Sequence, residues 1–285
     1  MGQSFLVYRQ FRHLKISVSL CLLALIIYII DNNWHLTLDE VPNGGTILGY
    51  ILGGIASVLI LVLMWFGIRK RLYNSRLGTI QGWLSAHVYL GITTLFIATL
   101  HTGFQFGWNV HTLSYVSLVA VTLSGAYGVW MYVQYPKSIN QNLSGLTPNI
   151  LHYEISALEQ ECLMQAQAIE ESIYQNLKDS FLTNETYKAK QYGDKQLQEN
   201  NKKNYDASMY FISERISRYD NQPKQQHAMH HLLALLGRRN ALIKRLQRNQ
   251  WQINRLTHWR IIHIPLSFAL LASLIVHIVV VFLYW

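Results

Sequence analysis

Four histidines stand inside two apolar segments, His87 and His101 in one and His263 and His277 in the other. Thirteen residues separate the two members of each pair. On an α-helix that spacing is almost four turns, so both imidazoles of a pair point the same way, about 21 Å apart along the axis. An imidazole inside a membrane needs a partner, and a neutral imidazole is a common axial ligand of haem iron. Two such helices side by side offer four axial ligands. The chemistry this spacing suits is the non-covalent binding of two haems b, each held by two histidines and each near one side of a bilayer.

The elements that must position these residues are membrane helices. Hydrophobic residues make up 51% of the chain and charged residues 14%. The apolar residues cluster into five spans at roughly 13–30, 46–68, 82–106, 112–134 and 260–284. The first is read as an uncleaved helix, because DNNWHLTLDE follows it with no small-residue cleavage site. Arg9, Arg12 and Lys15 precede the first span, and Arg69, Lys70, Arg71 and Arg76 follow the second. The connection between them carries Asp31, Asp39 and Glu40 and no Lys or Arg. The positive-inside rule then places the N-terminus in the cytoplasm and the C-terminus, Tyr284–Trp285, at the outer face. The expected location is a bacterial inner membrane. The net charge of +9 is accounted for by topology signals and one polar insertion, so no nucleic acid is expected as a partner.

This topology makes the third and fifth spans parallel. His87 is then level with His263, and His101 with His277; the pairing follows from the charges and was not needed to find the histidines. The stripe His87–Gly91–Thr94–Ala98–His101 is mostly of small residues and the stripe His263–Ser267–Leu270–Ser273–His277 moderately so, as a flat ring between helices requires. Arg260, one turn before His263, is a candidate partner for a haem propionate, with Arg69, Arg71 and Arg76 at a similar level. His111 opens the fourth span and reads as a solvated loop histidine. Gly45, Gly49 and Gly53 recur every four residues on the second span, a smooth face for helix packing.

Other chemistries find less support. Cys21 and Cys162 imply no disulfide framework, and without a C-x-x-C-H no covalent haem attachment is expected. The spans carry no Asp or Glu in their interiors, which argues against a non-redox metal transporter or scaffold. Residues 137–257 hold sixteen Lys/Arg and twelve Asp/Glu. Helical periodicity over 150–182 and 225–257 predicts a cytoplasmic helical hairpin, with 187–207 as a polar loop. Its basic face, Arg238, Arg239, Lys244, Arg245 and Arg248, suits a docking partner or anionic lipid. His227, His230 and His231 have helical ligand spacing but no Cys or acidic pair nearby to complete a metal site. The expected fold is an all-α membrane protein: a five-helix transmembrane bundle, residues 1–136 and 258–285, with the insertion 137–257 between helices four and five.

On the residues His87/His101 and His263/His277, the chain resembles the transmembrane domain of the ferric reductase and NADPH oxidase superfamily, chiefly over 81–134 and 258–285. That resemblance implies histidine pairs on the third and fifth helices holding two stacked haems. The chain departs from the family in stopping at Trp285, after the fifth helix, and in having no G-x-G-x-x-G between a strand and a helix, so flavin and nicotinamide chemistry is not carried over. The function expected is an electron-relay subunit of an oxidoreductase complex rather than a complete enzyme. It would join a quinol or cytoplasmic donor to a periplasmic acceptor such as a c-type cytochrome, within a hetero-oligomer. The alternative is a terminal ferric-reductase-like activity.

Overall fold

The computed structural model describes residues 5–36, 44–69, 78–143, 147–185, 195–219 and 222–284. Lys70, Arg71 and Arg76, Asp39 and Glu40, residues 187–194 and Trp285 lie outside the described residues. Among those described there is no strand, and the α-helices are α1 (Tyr8–Leu36), α2 (Ile47–Arg69), α3 (Ile80–His101), α4 (Val110–Leu143), α5 (Pro148–Ile169), α6 (Glu171–Glu185), α7 (Lys195–Ile216) and α8 (Pro223–Tyr284). Five stretches are long and apolar enough to cross a membrane: Phe5–Asn33, Ile47–Arg69, Ile80–His101, Val110–Tyr135 and the apolar part of Pro223–Leu283. Their length and composition mark an integral membrane protein. The chain divides into two compact units, Met1–Val133 with His258–Trp285, and Gln134–Thr257.

In the first unit α3 packs on α1 and α2. Thr79 caps its start, its side chain accepting from the Gly82 backbone N–H. Gly82 leaves room for Tyr8, whose ring would lie 2.9 Å from a Cβ there. Further along, Ser17 of α1 shares a buried hydrogen bond with Thr93, 2.5 Å between the hydroxyls. An alternating surface of small and branched residues, Leu52, Ala56 and Ile60 on α2 and Ile97 and Ala98 on α3, joins Leu118, Leu270 and Leu274 in one core. The helix ends sooner than the apolar run to residue 106 suggests. Gly103 (φ 56°) and Phe104 (φ 61°) are left-handed, which stops the helix just after His101. His101 therefore sits in the last turn of α3.

The second unit is a helical bundle with its own core. Thr147 caps α5 and Pro148 fills its first turn. Leu151, Ile155, Leu158, Cys162 and Ala166 recur at helical spacing and are buried against Ile173 and Leu177 of α6, Ile212 of α7 and Met229, Leu232 and Leu236 of α8. The structure thus builds the insertion from more than two helices. Residues 195–207, expected as loop, belong to α7. The polar start of α7 leads into a stripe, Tyr205, Met209, Ile212 and Ile216, that docks on the shared core, and such docking outweighs weak local propensity. Arg239 also departs from expectation: it is 4% exposed, not part of a solvated basic face. Its Nε and Nη2 donate to Glu159 Oε1 at 3.0 and 2.6 Å, and its guanidinium lies 4.2 Å from the Phe181 ring centre. Arg238, Lys244 and Arg248 are exposed.

Candidate functional site

All four histidines of the two pairs fall in the first unit, on α3 and α8. Each is half-buried, and the neighbours of each ring differ.

His101 is held against α2. Its Nδ1 is 2.7 Å from the Gly49 carbonyl oxygen, so the ring donates from Nδ1 and keeps Nε2 as a lone pair. The ring lies so close to α2 that a Cβ on Gly53 would meet Cε1 at 2.8 Å and Nδ1 at 3.0 Å, and one on Gly44 would meet Cε1 at 3.3 Å. The glycine face of α2, assigned to packing on sequence grounds, is the seat of this imidazole. A β-carbon or a longer side chain at Gly53 would push the ring out.

His277 faces His101. The ring centres are 6.1 Å apart with the planes 80° to one another. A metal shared by two imidazoles, about 2.0–2.1 Å from each nitrogen, sets ring centres roughly 6 Å apart. The Nδ1 of His277 is 2.7 Å from the Nδ1 of His111. His111 is half-buried in the first turn of α4, not a solvated loop residue. A cavity of about 670 Å³ opens beside these rings, lined among others by Gly53, Ala98, His101, His111, Leu270 and His277. That is within the usual range for a cofactor-sized site. Ala98 and Leu270 come from the small-residue stripes; Gly91, Thr94, Ser267 and Ser273 do not line it. Beside Gly91, between the two histidines of α3, a Cβ would meet nothing within 4 Å.

His263 is positioned by α4. Its Nδ1 is 3.1 Å from the Ser124 hydroxyl. Trp259, one turn earlier, stacks on it with ring centres 5.2 Å apart. The Trp259 indole N–H donates to the Ser124 carbonyl at 2.8 Å. Its ring lies over Gly128, where a Cβ would come within 2.2 Å of it. The small face Ser124, Gly125 and Gly128 is thus shaped to receive α8.

His87 is the least furnished. Phe66 packs on its ring, 5.1 Å between centres. Its Nδ1 is buried without a well-formed hydrogen bond, although the Leu63 carbonyl lies nearby. An unpaired buried polar atom costs about 1–3 kcal/mol.

No protein family, curated protein or solved structure matches the chain. The site must therefore be read from its own residues. Among the described residues no three His, Cys, Asp or Glu side chains gather to hold a metal ion. The facing imidazoles of His101 and His277, with no acidic or thiol donor gathered beside them among the described residues, are the type of donors that would fit a haem iron. Three of the four rings have Nδ1 turned to a protein group, and no hydrogen bond takes up Nε2 of any of the four among the described residues. Engagement of one ring nitrogen by a neighbour is the usual way a protein fixes a histidine ligand.

Arg260 is exposed and belongs to α8 one turn before His263. Arg69 is 3% exposed, and its Nη2 donates to the Gly78 carbonyl at 2.7 Å; it ties down the end of α2. Sequence reasoning missed Gly49, His111 and Ser124 as partners of His101, His277 and His263. Gly49 acts through its backbone, which no residue pattern advertises. Ser124 and His111 lie on α4, whose rotation about its axis the sequence does not give.

Proposed function

We propose that the chain is a membrane-embedded di-haem b-type cytochrome that relays electrons between the two sides of a bilayer. His87 and His263 would hold one haem, His101 and His277 the other. The observation that carries this reading is that His101 on α3 and His277 on α8 face one another, 6.1 Å between ring centres, with Nδ1 engaged at three of the four histidines and Nε2 uncommitted. The cofactor, when bound, supplies one-electron iron chemistry. The chain's own contribution is to bind and orient. Gly49 and Ser124 orient the His101 and His263 imidazoles through Nδ1, the glycine face of α2 admits the His101 ring, and the apolar walls keep water out. Each haem would be held by two imidazoles of this chain, which would favour relay over binding of small substrates.

The N-terminus and the second unit are assigned to the cytoplasm by the positive-inside rule, and the His101/His277 pair then lies near the periplasmic face of an inner membrane. A quinol or a cytoplasmic protein is the donor this arrangement suits, and a periplasmic c-type cytochrome the acceptor, in a hetero-oligomer. The superfamily of ferric reductases and NADPH oxidases offers an analogy for such an arrangement. Exposed Arg260 is assigned to a propionate of the His87/His263 haem.

The test is purification in mild detergent from haem-replete cells, followed by reduced-minus-oxidised and pyridine-haemochrome spectra. Two low-spin b haems per chain are expected. A folded, monodisperse sample without haem would remove the electron-transfer reading.

A further inference from the structure

His111 is the feature the electron-relay reading does not itself require. Its Nδ1 meets the Nδ1 of His277 at 2.7 Å, and its ring stands edge-on to that of His277, 4.6 Å between centres. Two imidazole nitrogens form a hydrogen bond only when one carries the proton and the other a lone pair. His277 has a free lone pair on Nε2 only in the tautomer that keeps its proton on Nδ1. In that tautomer the Nδ1 of His111 is the acceptor, and the proton of His111 sits on Nε2. The opposite arrangement puts a proton on Nε2 of His277 and closes it as a ligand.

The contact is held by more than the two side chains. Three residues on from His111, the Ser114 hydroxyl donates to the Ser273 carbonyl at 2.9 Å, four residues before His277 on α8. Ser114 is buried. The start of α4 is thus pinned to α8 at two successive turns, and both histidines line the same cavity as His101.

We infer that His111 is a positioning residue for the His101/His277 site: it accepts the Nδ1 proton of His277 and so holds that imidazole in the tautomer and orientation in which Nε2 can ligate iron. This rests on the di-haem reading. No group other than His111 takes up Nδ1 of His277 among the described residues. It is also the only one of the three observed partners that is itself an imidazole; Gly49 offers a carbonyl to His101 and Ser124 a hydroxyl to His263.

The experiment compares the full-length wild type with His111→Ala and His111→Asn, each purified in detergent, by haem content per chain and low-temperature electron paramagnetic resonance. The asparagine carbonyl can stand near where Nδ1 stood and accept the same proton. Wild type and His111→Asn should each carry two haems with the same pair of low-spin signals. His111→Ala should change one signal only, with haem loss from that site faster by about 10–100-fold. Three results overturn the inference: His111→Ala matching wild type, His111→Ala altering both signals equally, or His111→Asn behaving as His111→Ala. If the alanine variant yields no folded protein, the asparagine variant decides alone, since it must keep both signals. A wild type without haem would instead sink the di-haem reading, and is distinguishable because it appears before any substitution is made.

Discussion

Gly53→Ala should empty one haem site while leaving the fold intact. A Cβ at Gly53 would stand 2.8 Å from Cε1 of His101 and 3.0 Å from Nδ1. To reach ordinary contact the ring must retreat by about 0.6 Å, at or beyond the roughly 0.5 Å within which a functional side chain keeps its geometry. The same retreat strains the 2.7 Å bond to the Gly49 carbonyl, worth about 1 kcal/mol. Overpacking adds about 1–3 kcal/mol. Together these come to roughly 2–4 kcal/mol, about 30- to 1,000-fold in haem retention at the His101/His277 site. The helix itself is not harmed, since alanine is a better helix former than glycine by about 1 kcal/mol. Gly67→Ala, on the same helix and away from the cavity, is the matched control, because a Cβ there meets nothing within 4 Å. The assay is haem per chain and the visible spectrum of each purified variant, with a thermal melt to show that both fold. One haem for Gly53→Ala and two for Gly67→Ala are expected. Two haems with an unchanged spectrum in Gly53→Ala, or equal loss in Gly67→Ala, would refute the seating of His101 on α2.

Three further outcomes are expected. Ser124→Ala removes the 3.1 Å partner of His263 Nδ1 and should speed haem transfer from one site to an apo-globin acceptor by about fivefold, the equivalent of roughly 1 kcal/mol; no change in either phase would remove Ser124 from the site. Arg239→Ala leaves the Glu159 carboxylate, 15% exposed as a side chain, without its cation and should destabilise the second unit by about 3 kcal/mol. Arg239→Met with Glu159→Leu should recover most of that in chemical denaturation, and a double variant as unstable as the single one would show that the pair is not the cause. Cys162 is fully buried and burial pushes its thiol up to about 12. Because a raised thiol pKa keeps the group protonated below that value, only about one thiol in 10⁴ is ionised at pH 8; maleimide should label it after denaturation, and rapid labelling of native protein would contradict its place in the core.

The membrane class, the five spans and the two histidine pairs were legible because each depends on a periodic or compositional signal. His87 and His101 announce themselves by a thirteen-residue gap inside an apolar run, and α8 by a basic amphipathic stretch that meets the last span with no proline before Pro265. What escaped was whatever depends on rotation or backbone. The Gly49 carbonyl reaches His101 because α2 packs on α3 with its glycine face inward, and glycines spaced by four give that face but not its partner. Helix α7 was hidden because its first residues are polar and its apolar stripe begins only at Tyr205. Arg239 looked like its neighbours Arg238 and Lys244, and only the placement of Glu159 and Phe181 separates it from them.

Equal spacing in the sequence does not give equal sites. His87 lies within α3, whereas His101 occupies its last turn beside the left-handed Gly103 and Phe104. The His101/His277 pair has a partner at each Nδ1, a carbonyl and an imidazole, the latter an acceptor in the tautomer inferred above. The His87/His263 pair has one hydroxyl and one Nδ1 without a well-formed bond. Acceptors at Nδ1 raise the basicity of a ligating imidazole and stiffen its orientation, so the first pair should bind its haem more firmly and give the more rigid, more reducing centre. Single ligand replacements separate the two. His87→Ala should leave a haem with strong retention and a lower midpoint potential, and His101→Ala one that is lost faster and titrates higher. Identical retention and potentials in the two variants would mean that the neighbours of these rings, however close, do not govern the sites.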